Sequence, residues 1–130
     1  MKKQTGFTLV ELIAVIVILG ILAATALPRF IDMSEGAEDA AVEAMAGNMG
    51  SAMAMNYAAA VATSAGVLGT PHVAVANCTD VNLILIGGYD TVAYTVTPAD
   101  LGSALGDTAA CTLRQNSSSK TATFQGINAP

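Results

Sequence analysis

Lys2-Lys3-Gln4-Thr5-Gly6-Phe7-Thr8-Leu9-Val10-Glu11-Leu12 opens the chain and decides how the rest is read. One carboxylate, Glu11, stands inside a long apolar run shortly after a glycine. Residues 12–27 carry no charge. The 21 residues at 7–27 would span about 31 Å as a helix, the thickness of a bilayer hydrocarbon core. The chain is therefore expected to visit a membrane. An ionised glutamate in that setting is costly, so Glu11 requires a cationic partner, and the segment itself holds none.

These residues resemble the processing site of type IV prepilins: a short basic leader ending in Gly6, a mature chain beginning at Phe7, and Glu11 as its fifth residue. Further on, Leu19-Gly20-Ile21-Leu22-Ala23-Ala24-Thr25-Ala26-Leu27-Pro28-Arg29-Phe30-Ile31-Asp32 resembles the type IVa pilins, most closely the mannose-sensitive hemagglutinin group. The close resemblance covers about the first quarter of the chain. It implies an α+β fold, with a long N-terminal helix spine against a small antiparallel sheet. It also implies that a prepilin peptidase cuts after Gly6 and methylates the new amine on Phe7. Methylation preserves positive charge, and an α-amino group is largely cationic at neutral pH. The missing partner of Glu11 is then the Phe7 amine of a neighbouring copy. The implied assembly is a homo-oligomeric helical filament, drawn from membrane lipid with the help of an assembly platform and a motor ATPase.

Two other readings compete for the same segment. Lys2 and Lys3 with Ala24-Thr25-Ala26 fit a secretory signal peptide, although a charge at Glu11 is foreign to such cores. A plain single-pass anchor with a periplasmic head is the other. Mass spectrometry of the mature N-terminus separates them: N-methylated Phe7, Leu27, or an uncut Met1.

With 130 residues, the organisation expected is a removed leader at 1–6, a helix spine at 7–65 whose 7–27 portion is the membrane and filament-core segment, and a globular head at 66–130. So small a head is near the lower limit for an independent core, and a staple is expected. The only two cysteines, Cys78 and Cys111, lie in the part predicted to face an oxidising compartment, where they can form a disulfide. A pair of buried thiols is the alternative. No Cys-x-x-Cys pair or clustered histidine suggests a metal.

Without the leader, Arg29, Arg114 and Lys120 face ten acids, a net charge of −7. Direct nucleic-acid binding, which depends on clustered Lys and Arg, is not expected. Asp32, Glu35, Glu38, Asp39 and Glu43 read as a solvated helical stretch. The spacing of a calcium loop is missing.

Gly20 and Pro28 bracket a stretch of weakened helix, because proline removes a backbone donor and crowds the preceding turn. In the family this stretch can melt in the assembled filament; a static kink is the alternative. Val42, Met45, Met49 and Met53 share one face at helical spacing and predict core packing rather than a cofactor box. Gly47 and Gly50 weaken that helix. Gly66, Gly69 and Pro71 mark its end.

Beyond them, Val73 and Val75 predict a short strand, residues 81–86 form a compact apolar run, and Val92, Tyr94 and Val96 alternate as a strand. Thr97-Pro98-Ala99-Asp100 reads as a helix start. Residues 110–115 and 120–125 predict a hairpin around Asn116-Ser117-Ser118-Ser119. His72 has no nucleophile beside it and reads as a bystander. Gly87-Gly88 lacks phosphate-loop spacing. Asn77-Cys78-Thr79 and Asn116-Ser117-Ser118 match the asparagine glycosylation pattern, a weak signal in a bacterial-type prepilin. No cofactor and no catalytic residue is expected.

The reading as a whole is a structural subunit of an extracellular type IV pilus serving adhesion. It waits in the inner membrane with its head in the periplasm. A type II secretion pseudopilin is the nearest alternative, and such proteins usually carry a calcium site in the head. An anchored periplasmic binding module is the alternative from another class.

Overall fold

A computed structural model describes residues 6–67, 69 and 71–130. The basic residues at 2 and 3 lie outside the described residues. Helix α1 runs Leu9–Ser64, apolar throughout its first part and rich in alanine and methionine, strong helix formers, in its second. It stops where glycine permits a left-handed turn. Gly66 has φ of 82°, and the N–H groups of Gly66 and Val67 donate to Thr63 and Ala62 carbonyls at 3.0 Å. This is the paired bonding of a Schellman stop. Pro28 lies inside α1, and the backbone is helical on both sides of it.

The chain divides into two units, Met1–Ala37 and Glu38–Pro130. In the first, every described residue is exposed. All the burial lies in the second. There Val42, Ala46, Met49 and Met53 of α1 are buried and join one core with Val75, Val81, Val96, Leu101, Leu113 and Phe124. The methionine face is thus the core face. Ala46 is buried on that side as well, and Met45 packs against the margin of the core.

Three strands, β1 (Tyr94–Val96), β2 (Thr108–Gln115) and β3 (Thr121–Ile127), form an antiparallel sheet in the order β1-β2-β3. The expected hairpin is present, with Arg114 opposite Thr121 and Cys111 opposite Phe124. Its connecting turn places Ser119 at φ 60°. Phe124 lies over Gly50, where an added Cβ would sit 3.7 Å from the Phe124 Cβ. That is ordinary van der Waals spacing, so the sheet packs on α1 here without requiring glycine. The architecture is α+β: one long N-terminal helix and a small antiparallel sheet.

Two local expectations fail in the head, and the apolar run whose form the sequence left open proves helical. Val73 and Val75 make no strand; Val75 forms only an isolated bridge to Ala129. The apolar run after Cys78 is helical, a 3-10 turn at Cys78–Asp80 followed by the single turn α2 (Val81–Ile84). Asn77 starts it as a cap, its side chain accepting from Thr79 N–H at 3.1 Å while Asp80 Oδ2 accepts from Asn77 N–H at 2.9 Å. That reciprocal pair is a capping box, which overrides the strand propensity of valine and isoleucine.

The Thr97-Pro98 segment does not open a helix; residues 97–99 lack regular structure and Asp100 bridges to Asn77. Cys78 N–H donates to Ala99 and Leu101 N–H to Ala76, both at 2.9 Å. These long-range bonds and the burial of Leu101 hold the segment extended.

Candidate functional site

The chemistry singled out in the sequence sits at the start of α1. Phe7 is 85% exposed, and Gly6 has open space around it. In the uncut chain the Phe7 nitrogen is a peptide amide without charge, so it offers Glu11 nothing. Glu11 instead closes the first turn. Its Oε2 accepts from Thr8 N–H and from Thr8 Oγ1, both at 2.9 Å, and Thr8 Oγ1 accepts from Glu11 N–H at 3.3 Å. Thr8 is the N-cap and Glu11 the third helical residue of a capping box.

Thr8 is the functional residue that the reading of the sequence missed. Its signal was in plain view: threonine, two residues, glutamate, then an apolar run. The consequence is chemical. One carboxylate oxygen is committed inside the chain, and among the described residues no hydrogen bond engages Oε1.

From there α1 presents apolar side chains on all sides. Among the described residues, it is the one helix long and apolar enough to cross a membrane. Phe30, Ile31 and Met33 continue the exposed apolar surface past residue 27. Between Gly20 and Pro28 there is a third weakening feature. The Thr25 hydroxyl donates to the Leu22 carbonyl at 3.0 Å and reaches the Ile21 carbonyl at 3.4 Å. Such back-bonding competes with the main-chain ladder.

In the head, Cys78 and Cys111 are joined by a disulfide with Cα atoms 5.6 Å apart, closing a separation of 33 residues. Both are fully buried. The bond ties the first turn of the head to the centre of β2. Gly126 makes room for it, since a Cβ there would lie 2.6 Å from the Cys111 Sγ and strike Leu101.

The remaining candidates serve the fold. Asp80, Asp90, Asp100 and Asp107 each accept backbone N–H groups in turns. Among the described residues no group of three or more His, Cys, Asp or Glu side chains is placed to hold a metal. His72 Nε2 lies 3.0 Å from the Pro130 carbonyl. Asn116 accepts from Thr95 Oγ1 at 2.8 Å and donates Nδ2 to Val92 at 2.9 Å, and Asn77 is the cap described above. Both glycosylation-pattern asparagines are thus engaged in holding backbone.

Residues 1–27 match the prokaryotic N-terminal methylation motif. Among curated proteins, the chain is 51% identical over 53 residues, 41% of its own length, to the type IV narrow pilus major component PilA5 of Thermus thermophilus. It is 53% identical over 38 residues, 29% of its length, to the type II secretion system core protein G of Vibrio cholerae. The matches span 46% and 26% of those two proteins, so the chain covers less than half of the relatives it matches. No solved structure matches.

Proposed function

We propose that this chain is the repeating subunit of an extracellular type IV pilus, a structural rather than catalytic role. The observation that carries the reading is the first unit. A methylation motif heads a membrane-length apolar helix in which every described residue up to Ala37 is exposed. So much bare apolar surface needs lipid first and neighbouring copies afterwards.

In this scheme a prepilin peptidase cuts between Gly6 and Phe7 and methylates the Phe7 amine. Before assembly the subunit sits in the inner membrane with its head in the periplasm. The freed amine of one copy then meets Glu11 of the next. The capping box supports this step, because Glu11 Oε2 stays with Thr8 while Oε1 can take the incoming cation, so the helix start need not unravel. Head-to-tail contacts of this kind generate an open helical polymer. An assembly platform and motor ATPase would drive extraction, and Gly20, Thr25 and Pro28 would let residues 21–27 melt in the filament. Adhesion is the favoured outcome, in line with the resemblance to the hemagglutinin group.

A type II secretion pseudopilin is the second reading, favoured by the similarity to core protein G. The disulfide weighs toward the pilus. Electron microscopy of sheared surface filaments with peptide identification distinguishes the two: long fibres of this chain support a pilus, and short envelope-bound polymers a pseudopilin. Glu11→Gln tests the pairing directly. Glutamine fills the same capping position but has no charge. A role as a cap alone leaves filament growth normal; a role as counter-ion abolishes it, and abolition is the expected result.

A further inference from the structure

Strand β3 is one of the two edge strands of the sheet, and its free edge faces a groove. Gln115 N–H donates to the Lys120 carbonyl, which fixes the phase of the ladder: Lys120, Ala122, Phe124 and Gly126 turn their main-chain groups toward β2. Antiparallel pairing then leaves Thr121, Thr123 and Gln125 with N–H and C=O directed away from β2. Among the described residues, no main-chain bond outside the ladder reaches them. The three positions extend over about 13 Å at the rise of a strand.

Beside this edge runs α1. Glu43 and Ala46 of the helix, with Thr121, Ala122 and Thr123 of β3, line a groove of about 450 Å³. Small side chains at Ala46 and Ala122 leave space for a backbone, and Glu43 supplies an exposed negative wall. At the end of the strand, Lys120 is neutralised by Asp39 at 3.1 Å.

We infer that this groove is a docking site for an extended basic segment of another protein, added to β3 as a fourth strand. A groove between an edge strand and a helix is the geometry by which sheets capture peptides. Main-chain bonds supply affinity and alternate side chains supply selection. Charge complementarity selects the occupant, because alternate residues of an added strand face the helix, where Lys or Arg meets Glu43. A second copy is a poor fit. Its mature form carries −7, its only head cations are Arg114 and Lys120, and Lys120 is already paired with Asp39.

The test uses the full chain in detergent micelles and a fluorescent peptide of alternating lysine and threonine, read by anisotropy at low salt. A peptide of equal charge with proline at every other position is the control, since it cannot form a ladder. Thr123→Pro removes an outward N–H without touching a bond to β2, and Glu43→Lys reverses the wall while leaving the strand intact. The expected result is binding of the lysine-threonine peptide, weakened about tenfold or more by either variant. The amides of Thr121, Thr123 and Gln125 gain protection from hydrogen exchange when the peptide is bound. Equal binding of the proline control, insensitivity to Glu43→Lys, unprotected edge amides, or occupation of the edge by a second copy overturns the inference.

Discussion

Thr8 and Glu11 divide one task into two. The hydroxyl and carboxylate close the helix start within the chain, and under the proposed function the second carboxylate oxygen takes the cation of a neighbouring copy. Thr8→Ala is expected to fray the first turn of α1, seen as faster amide exchange at residues 9–12, while the charge on Glu11 is retained. Filament growth should then slow rather than stop, which separates Thr8→Ala from Glu11→Gln. At the other end of the chain, Gly126 is set by contact, because a Cβ would press on the Cys111 sulfur 2.6 Å away. Gly126→Ala should destabilise the head by about 1–3 kcal/mol through overpacking, measured as a shift in its denaturant midpoint.

At the scale of elements, one helix serves two solvents. Its first part has no buried residue among those described, while Val42, Ala46, Met49 and Met53 in its second part recur at helical spacing and form one wall of the head core. Met49 is fully buried. Met49→Ala is expected to cost about 2–5 kcal/mol, and the same change at exposed Met55 close to nothing; thermal unfolding of the head reports both. The helical face was legible because its period is local. The helix at 81–84 and the extended run at 97–101 were not. Asn77-x-x-Asp80 is itself a capping signature, overlapping the glycosylation pattern Asn77-Cys78-Thr79. The Thr97-Pro98 signal is real but loses to hydrogen bonds that Cys78 and Leu101 make with residues 21 and 25 positions away.

For the molecule as a whole, the head is small and its core is shared with α1, so a covalent tie has a large share in its stability. Closing a 33-residue separation contributes about 3–4 kcal/mol on the chain-entropy model. Replacing both Cys78 and Cys111 by serine should lower the head's unfolding free energy by that amount or more, because hydroxyls would then sit in buried positions. Chemical denaturation with and without reductant checks it: reductant should be inert until the head begins to open, since both sulfurs are buried. An acidic subunit of this kind, with its head aspartates engaged in turns, presents Glu35 and Glu43 of α1 as exposed negative surface.

The sequence by itself determined the N-terminal half, with its methylation motif, membrane-length run, Glu11 and methionine face, and near the other end of the chain the hairpin. Each of these is written in neighbours a few residues apart, where periodicity and capping act. Only the tertiary structure decided the paths of 73–84 and 97–101, the edge left open on β3, and the need for glycine at 126. These follow from which distant surfaces meet, and no local pattern records the distance between a sulfur and a backbone fifteen residues further along the chain.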